Sequence, residues 1–386
     1  MSRRSSTDTP LPGSPPVVLH AGLATYELVR TLGQGHHGEL LLARQRYHDG
    51  LGGLTVLKRL NRVARQLDYQ RLVEEARLGG QLQHPNIVSV QLMGGSAEEP
   101  ILLIDHVEGD LLGDLMRRAT GTGLPLSETF ACHMTAEVAD ALHYAHARVD
   151  EKGRHLGIVH RDVTPQGILV GRQGEVMLTD FGGAWSRLEG RMSTEGDADF
   201  GPLAYSSPER VAMDPLDGRS DLFSLGLVFL QLLTGRHLFD ADARYEAELR
   251  VRHLRARGDF PGASRVPGLE ELGPTRTTEL MRRIRTLSTR QVEEATRSVP
   301  EALRSILHRV LAPRREDRYA TGAELCQALR DYLWASGQRY GRMELAAEMS
   351  ALHEAALRDG EGEPSNASKR GGTVSRGRRK RPVRGS

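Results

Sequence analysis

Two aspartates eighteen residues apart, Asp162 and Asp180, are the residues of this sequence best placed to do chemistry. Between them lie an apolar run, a glycine-bearing turn at residues 172–174 and an alternating run, a pattern that predicts a short β-hairpin. Because a hairpin brings its two ends together, we expect both carboxylates to face one site. One could orient a hydroxyl nucleophile while the other holds a metal ion.

The tripeptides that contain these aspartates resemble those of a known family. HRD at 160–162 and DFG at 180–182 are similar to the catalytic loop and metal-binding triplet of protein kinases, at that family's spacing. The resemblance covers about four fifths of the chain, and it points to the bacterial Hanks-type serine/threonine kinases. It implies a two-lobed α+β protein kinase fold with a β-rich N-lobe and a mainly helical C-lobe. It also implies ATP and Mg²⁺ as cofactors, with Mn²⁺ as an alternative metal.

The resemblance assigns roles to residues of both tripeptides. Asp162 would accept the proton of the substrate hydroxyl or orient it, and Asp180 would carry Mg²⁺. Arg161 resembles the arginine of the pocket that senses a phosphorylated activation segment. Ser193 and Thr194 are the candidate phosphosites of that segment, although Asp197 and Asp199 could supply the negative charge without modification.

A glycine-rich stretch near the N-terminus is predicted to cover the phosphates. Gly33, Gly35 and Gly38 lie between two strand-like runs, whereas in a dinucleotide-binding fold a helix would follow them. The backbone N–H groups of such a loop can bind phosphate oxygens. We interpret His36 and His37, at its tip, as solvent-exposed loop residues.

The next predicted strand ends in Lys58, one of four lysines among 52 basic residues. A compact ammonium on a flexible stem suits a phosphate that must be reached from a strand. By the resemblance, Lys58 binds the α- and β-phosphates and is aligned by Glu75, on a helix predicted at about residues 68–83. In this register Glu74 is the solvated neighbour.

Residues 101–110 have the pattern of a buried strand followed by a polar crossover, and they resemble the hinge between the kinase lobes. On that match Ile104 gates the adenine pocket, and backbone atoms of Asp105 and Val107 bind the adenine edge. Apolar side chains would line the nucleotide site: Leu32, Leu40, Val56 and Leu169.

Markers in the C-terminal half resemble protein kinases rather than small-molecule phosphotransferases. SPE at 207–209 would close the activation segment, and Arg318 matches the arginine that forms a buried pair with Glu209. Asp221 matches the acid that holds the backbone of the HRD tripeptide. Residues 243–300 are helical and arginine-rich in pattern and have no assigned role.

Three positions depart from the family pattern. Gly167 stands where the family has an asparagine ligand of a second Mg²⁺, although Gln166 or water could partly fill that place. Thr164 replaces the usual lysine, and its hydroxyl can still reach a phosphate oxygen. Pro202 replaces the threonine that bonds the catalytic aspartate. Since losing one preorganised polar group costs about 10²–10³ in rate, we expect a slow serine/threonine kinase, or alternatively a pseudokinase that acts as a nucleotide-binding or scaffolding regulator.

Composition bounds the setting of the protein. Hydrophobic residues make up 39% of the 386 residues and charged residues 26%, and the net charge of +2 makes no case for nucleic acid or a membrane as a partner of the whole chain. We find no apolar run of about 18 residues and no signal-peptide core. Two cysteines far apart in sequence, Cys132 and Cys326, favour a reducing, cytoplasmic setting.

The boundaries of the expected kinase domain follow from these motifs. It is predicted to cover residues 24–335, with the N-lobe at 24–104, the hinge at 105–110 and the C-lobe at 111–335. A protein substrate or a signalling partner is expected, and the sequence does not indicate an oligomeric state.

Both termini are predicted to lie outside the kinase domain. Residues 1–23, rich in Ser, Pro, Thr and Arg, are expected to be disordered. Residues 336–358 should form a helical extension, and 359–386 a disordered basic tail. Such a tail can add affinity for nucleic acid or anionic lipid, although a solvated tail is the favoured interpretation.

Overall fold

The structure, a computed structural model, describes residues 16–34, 38–60, 66–93, 101–188, 203–239 and 274–361. Several residues singled out above lie outside these ranges: Gly35, His36, His37, Ser193, Thr194, Asp197, Asp199, Pro202, residues 243–273 and the basic tail from residue 362. Within the described ranges, no helix is both long and apolar enough to cross a membrane.

An antiparallel sheet of six strands forms the N-terminal lobe. Its strands are β1 (Val17–Ala21), β2 (Ala24–Gln34), β3 (Gly38–Tyr47), β4 (Gly50–Leu60), β5 (Val90–Met93) and β6 (Ile101–Asp105), in the spatial order β1-β2-β3-β4-β6-β5. In β4, period-two alternation buries Thr55 and Leu57, and Leu57 packs with Leu41 of β3 against Tyr26. Lys58 lies opposite Leu40 on the neighbouring strand.

Strand β1 contradicts, for Val17–Ala21, the expectation that residues 1–23 are disordered; residues 1–15 lie outside the described ranges. Ala21 pairs with Ala24 across a tight turn in which Gly22 adopts φ +59°, and the pairing extends outward to a 2.8 Å hydrogen bond from Leu28 N–H to Pro16 O. The Ser- and Pro-rich composition belongs to residues 1–15, whereas Val17–Ala21 has strand-forming residues. Averaging over the whole segment hid the strand.

One helix, α1 (Gln66–Gly79), packs on this sheet and carries the glutamate predicted to meet Lys58. Leu72 and Ala76 are buried against Val90 and Leu102. The helix ends four residues before the predicted boundary. At Gly79 a side chain would be only 2.8 Å from the Cβ of Val90, so the close packing of helix on strand requires glycine there.

A mainly helical lobe follows. Its helices are α2 (Leu112–Thr122), α3 (Glu128–His146), α4 (Pro208–Ala212), α5 (Gly218–Thr234), α6 (Pro274–Arg285), α7 (Thr289–Ala295), α8 (Glu301–Val310), α9 (Gly322–Ala335) and α10 (Arg342–Glu361). Helices α3 and α5 form its centre, and Phe130, Phe223 and Phe229 are completely buried there. Helix α5 is apolar on all sides because it is enclosed by the other helices.

A small three-stranded sheet confirms the predicted hairpin and carries both tripeptides. Its strands β7 (Gly109–Leu111), β8 (Ile168–Gly171) and β9 (Val176–Leu178) are antiparallel and adjacent in that order. Two backbone hydrogen bonds join β9 to the segment before β5: Val88 N–H to Leu178 O at 3.0 Å and Leu178 N–H to Asn86 O at 2.8 Å. The hairpin therefore links the two lobes.

The C-terminal extension is helical, as predicted, but longer. Helix α10 runs to Glu361, past residue 359, where the disordered tail was expected to begin. The α+β architecture, with a sheet-based N-lobe and a helical C-lobe, agrees with the predicted two-lobed kinase fold.

Candidate active site

Three charged side chains meet between the lobes. The Nζ atom of Lys58 lies 2.7 Å from Glu75 Oε2 and 3.7 Å from Asp180 Oδ1. Strand β4, helix α1 and the segment after β9 each supply one of them. The predicted pairing of Lys58 with Glu75 is confirmed. The expectation that Glu74 is solvated was wrong, because Glu74 is 1% exposed and accepts a hydrogen bond from Arg77 one turn later.

The electrostatics keep the Lys58 ammonium charged. Burial by itself would lower the pKa of Lys58, but the carboxylates of Glu75 and Asp180 outweigh it and raise that pKa above its usual value. Burial raises the pKa of Glu75, and the charge of Lys58 opposes that rise. Asp180 is 57% exposed, so one carboxylate of the cluster points to a region that a ligand can reach.

The backbone of the catalytic loop is held by one buried carboxylate, as the sequence predicted. Asp221 accepts hydrogen bonds from His160 N–H at 2.8 Å and from Arg161 N–H at 2.9 Å, and a third from His146 Nε2 at 2.8 Å. Burial would raise the pKa of Asp221, but these donors, led by His146, lower it below its usual value. Arg161 adopts φ +68°, a conformation rare for a side-chain-bearing residue, which this network stabilises.

His160 connects the two aspartates. Its Nδ1 accepts a hydrogen bond from Asp162 N–H at 3.2 Å, so its Nε2 carries the proton and donates to Thr179 O at 3.0 Å. Thr179 directly precedes Asp180, and the His160 ring meets Phe181 edge-on with centroids 4.5 Å apart. The hairpin ends are thereby tied together on one side of the small sheet.

The departures from the family pattern have a structural explanation. The Thr164 hydroxyl accepts a hydrogen bond from Gly167 N–H at 3.3 Å and caps the single 3₁₀ turn Pro165–Gly167. Thr164 is only 4% exposed. A Cβ on Gly167 would lie 3.3 Å from Asp162 O, a tight but nearly tolerated approach. Position 167 therefore has no side chain that could bind a metal, but a small shift of the loop would make room for one.

The side-chain amide of Gln166, considered above as a replacement metal ligand, lies beside Gly113 of α2. A Cβ added to Gly113, in the first turn of α2, would lie 2.8 Å from Gln166 Nε2. The amide thus packs against the start of α2. This contact gives Gln166 a packing role on the helical lobe.

Apolar side chains predicted to line the nucleotide site lie on strands of both sheets. Val56 is opposite Ile104 in the β4–β6 pair, and Leu169 is opposite Leu111 in the β7–β8 pair. All the predicted lining side chains are half-buried, neither enclosed in a core nor fully in water: Leu32, Leu40, Val56 and Leu169. Partial burial is what a surface that closes around a ligand requires.

The hinge backbone differs between the two predicted adenine contacts. Asp105 N–H already donates to Ser89 O at 3.1 Å, so only its carbonyl is a candidate for the adenine edge. Within the described ranges, neither the N–H nor the C=O of Val107 pairs with another backbone group. The Val107 peptide groups are therefore the better candidates.

The residues fit a metal that arrives with a nucleotide. Across the described ranges no group of three or more His, Cys, Asp or Glu side chains could hold a metal ion. Mg²⁺ at phosphoryl-transfer sites is held by one or two carboxylates together with substrate phosphates and waters. Asp180 supplies one such carboxylate, and Gly167 supplies none.

A buried pair on the far side of the catalytic loop agrees with the sequence prediction. Arg318 binds Glu209 through two hydrogen bonds of 2.7 and 2.9 Å, and Ser220 Oγ donates a third to Glu209 at 2.6 Å. The guanidinium also stacks on Phe223, 4.6 Å from the ring centre. Ser220 and Asp221 are adjacent in the first turn of α5. The start of this helix therefore contacts both the Arg318–Glu209 pair and the backbone of the catalytic loop.

Sequence reasoning missed two residues near the catalytic loop. His146 ends α3 and donates to Asp221, and nothing in its local sequence distinguishes it from a surface histidine. Arg210, on α4, is half-buried. Burial lowers the pKa of Arg210, and the carboxylates of Asp162 and Asp221 oppose that shift. A cation therefore lies within electrostatic range of the catalytic aspartate.

Several known protein kinases are similar to this chain in sequence. The tyrosine-protein kinase MasK of Myxococcus xanthus is 29% identical, over 83% of this chain and 45% of its own. The serine/threonine-protein kinase PknJ of Mycobacterium tuberculosis is 34% identical, over 64% of this chain and 40% of its own. The serine/threonine-protein kinase PrkC of Bacillus subtilis is 30% identical, over 62% of this chain and 34% of its own. The chain thus spans less than half the length of these relatives.

A solved structure, the kinase domain of Mycobacterium tuberculosis PknI, aligns with 81% of this chain and 97% of its own at 22% identity, with a TM-score of 0.49. Residues 26–331 match the protein kinase domain family, whose members use ATP and Mg²⁺. Because that match covers most of the sequence and includes every motif described above, the chain belongs to the protein kinase family.

Proposed function

We propose that this chain is an ATP-dependent protein serine/threonine kinase that transfers the γ-phosphoryl group to protein hydroxyls slowly. The observation that carries the proposal is the convergence of Lys58, Glu75 and Asp180, with Nζ–carboxylate distances of 2.7 and 3.7 Å. A charged lysine aligned by a buried glutamate and facing an exposed aspartate is suited to binding a triphosphate and its metal.

Each residue has a stated role in this proposal. Lys58, held by Glu75, binds the α- and β-phosphates, and Asp180 holds Mg²⁺. Asp162 orients the substrate hydroxyl and accepts its proton, and Arg161 contributes to activation-segment sensing. ATP supplies the transferred phosphoryl group, so the protein contributes mainly position and charge.

The nucleotide is proposed to bind between the half-buried apolar side chains and the hinge. Val107 offers both backbone groups and Asp105 its carbonyl. The glycine-rich stretch, including Gly33, Gly35 and Gly38, covers the phosphates. Residues 24–335 remain our proposed extent of the kinase domain, with residues 105–110 as its hinge.

Serine/threonine specificity is also a proposal. PknJ and PrkC are named serine/threonine-protein kinases, whereas MasK is named a tyrosine-protein kinase. Phosphoamino-acid analysis of labelled product distinguishes the two classes. We expect phosphoserine or phosphothreonine, and phosphotyrosine alone would contradict the proposal.

A second candidate, a pseudokinase, is favoured by one observation: Gly167 places no side chain at the second metal position, and the nearby Thr164 hydroxyl is engaged in a cap. Such a protein would bind nucleotide or a partner and act as a scaffold. Thermal stabilisation by ATP that persists in EDTA would favour this alternative, since phosphoryl transfer needs the metal.

The decisive test is incorporation of label from γ-labelled ATP with Mg²⁺ or Mn²⁺. The matched controls are Lys58→Met, which removes the phosphate ligand, and Asp180→Ala, which removes the metal ligand. We expect the wild type to exceed both controls by about 10²-fold or more. Labelling no higher than in the controls would reject the kinase and leave the pseudokinase.

We also propose the class of partner and the cellular location of the protein. Protein substrates follow from the proposed activity, and a cytoplasmic setting agrees with Cys132 and Cys326 being free, buried thiols. Burial raises the pKa of Cys132 to about 12 and that of Cys326 to about 11, so neither is activated. Removing residues 364–386 should reduce salt-sensitive binding of DNA or anionic vesicles if the tail contributes such affinity; unchanged binding would reject that role.

A further inference from the structure

Helix α10 begins beyond residue 331, where the family match ends, yet it packs on elements that carry the nucleotide site. We propose that α10 braces the hinge, and that His353 is a positioning residue that acts on nucleotide binding through Asp110. The inference rests on the proposed function, because its effect is on ATP binding.

The apolar face of α10 belongs to the main core. Leu345, Met349 and Leu352 recur at i, i+4 and i+7, and at most 1% of each is exposed. They are part of the same cluster of buried residues as Leu112 and Leu115 of α2. Burial of three large side chains along one face fixes the rotation of the helix about its axis.

The polar anchor of α10 is at the end of the hinge. His353 Nε2 lies 2.8 Å from Asp110 Oδ2 and 2.7 Å from Arg118 Nη1, and Arg118 Nη2 donates to Asp110 Oδ1 at 3.1 Å. Asp110 is in β7, three residues after Val107. One charged cluster therefore joins α10, α2 and the strand that continues the hinge.

The contact of His353 within its own helix orients the ring toward this cluster. His353 Nδ1 lies 2.7 Å from Met349 O, so Nδ1 carries a proton and donates to that carbonyl. This leaves Nε2 to face Arg118 Nη1 and Asp110 Oδ2, and Arg118 itself donates to Asp110, so the ring connects α10 to β7.

The other end of α10 contacts the catalytic hairpin. Arg342 Nη2 lies 2.8 Å from Glu175 Oε1. Gly174, in the turn between β8 and β9, has φ +83°, and the backbone of Arg342 leaves no room there for a Cβ. The helix thus touches the three-stranded sheet at two places: at β7, and at the turn between β8, which carries Leu169, and β9, which leads to Asp180.

The middle of α10 fixes the start of α3. Glu348 accepts hydrogen bonds from Ser127 N–H at 2.6 Å, from Ser127 Oγ at 2.7 Å and from the Tyr340 hydroxyl at 2.7 Å. Ser127 caps α3, and α3 ends at His146, which holds Asp221. With contacts to the hinge, the hairpin and α3, α10 is placed to set the position of Val107 relative to Leu169.

The experiment uses the full-length chain with His353→Ala, Asp110→Asn and the double variant. The matched control is Arg358→Ala, which removes an exposed ion pair with Glu354 on the same helix, 3.4 Å long. ATP affinity is measured by calorimetry, and KM and kcat are measured in the kinase assay. We expect each single variant to bind ATP about 3- to 10-fold more weakly, the double variant no more weakly than the worse single, and the control to be unchanged.

A positioning role requires that KM for ATP rises while kcat stays within about twofold. ATP affinity equal to wild type in a folded His353→Ala variant, or additive effects of the two substitutions, would overturn the proposal. If His353→Ala does not fold, His353→Gln, which keeps a polar side chain, is tested in its place by the same criteria. A wild type that binds no ATP would overturn both this inference and the proposed function, whereas ATP binding that is insensitive to both substitutions would overturn this inference alone.

Discussion

The framework beneath the catalytic loop and the surface that faces the phosphates are built differently. In the framework, Asp221 is 1% exposed and receives three hydrogen bonds, and Arg318 binds Glu209 bidentately. On the phosphate-facing side, Gly167 has no side chain, and the Thr164 hydroxyl accepts from a neighbouring backbone N–H. The framework contains every contact that the family resemblance predicted, whereas the phosphate-facing side lacks the family's asparagine side chain at position 167.

The difference reflects which losses the fold can tolerate. Removing one partner from a buried charged network leaves the other uncompensated and costs about 3–5 kcal/mol, a large share of the stability of a domain. Losing a ligand such as an asparagine at position 167 affects the reaction and leaves the fold intact. The framework therefore identifies the fold, whereas a few side chains around Lys58 and Asp180 determine the activity.

The largest expected effect comes from breaking the framework with Asp221→Ala. The backbone N–H groups of His160 and Arg161 and the ring of His146 would lose their acceptor, so we expect a loss of about 3–5 kcal/mol in the free energy of unfolding. Urea denaturation measures it. The matched control is Asp217→Ala, a half-exposed carboxylate that caps the same helix, with an expected cost of about 1 kcal/mol. Equal losses in the two variants would contradict the comparison.

The same substitution has a pH signature. Because the pKa of Asp221 is held below its usual value, its stabilising contribution is present above roughly pH 4, the pKa of an unfolded aspartate, and is lost as pH falls toward the folded pKa. Asp221→Ala should therefore flatten the stability profile below about pH 4. If the unfolding free energy of the variant fell below pH 4 as steeply as that of the wild type, other carboxyl groups would be the cause of the fall.

Much of the framework could be predicted because its residues lie in short motifs with fixed spacing. The hairpin between Asp162 and Asp180, the choice of Glu75 over Glu74 as the partner of Lys58, and the Asp221 contacts all followed from spacing or resemblance. Local periodicity and turn residues determine such elements within a few residues of chain.

The features that sequence reasoning missed depend on pairs distant in sequence. His353 meets Asp110 across 243 residues, and His146 meets Asp221 across 75. The burial of Glu74 is set by how α1 packs, and no periodicity distinguishes it from a surface glutamate. Local sequence patterns cannot reveal tertiary partners of this kind, so the contacts on which the proposed role of α10 rests could be found only in the structure.

Gly167→Asn tests the phosphate-facing side, because it adds the amide side chain that the family has as a metal ligand at this position. An added Cβ would lie 3.3 Å from Asp162 O, so a small backbone shift accommodates it. Since one preorganised polar group is worth about 10²–10³ in rate, and the adjustment offsets part of that, we expect kcat to rise by about 10- to 100-fold. Gly167→Ala adds the Cβ without a ligand and should leave kcat unchanged. A rise in both variants would point to loop rigidity, and a rise in neither would contradict the prediction that the absence of a ligand at position 167 limits the proposed activity.

A smaller effect on the pH dependence of stability is expected from His237, in the helical lobe outside this framework. His237 follows α5, stacks edge-on against Tyr205, and its Nε2 has no hydrogen-bond partner within the described ranges. Burial lowers the pKa of His237 to about 4 from an ordinary value of 6.5. The folded state then binds fewer protons than the unfolded state, so stability is full above about pH 6.5 and falls between about pH 6.5 and 4.

His237→Asn keeps an acceptor near the position of Nδ1 for Phe239 N–H and removes the titration. By linkage we expect the variant to lose about 1–2 kcal/mol less than the wild type on going from pH 7 to pH 5. Thermal melts at both pH values measure the difference. His20→Asn, at an exposed position of β1, should keep the wild-type slope; a flattened slope there would move the effect away from His237.

The smallest expected effect lies at Thr164, on the phosphate-facing side. Thr164→Val removes the hydroxyl that caps Gly167 N–H, and the usual cost of losing a cap is about 1 kcal/mol of stability. Because Thr164 is only 4% exposed, we expect kcat/KM for ATP to fall by only about two- to threefold, whereas Thr164→Ser should retain both stability and kcat/KM. Denaturation and steady-state kinetics on the same preparations separate the two roles. A tenfold loss of kcat/KM with unchanged stability would contradict a mainly capping role and assign the Thr164 hydroxyl a direct contact with ATP, because a capping residue cannot affect catalysis without first weakening the turn that it caps.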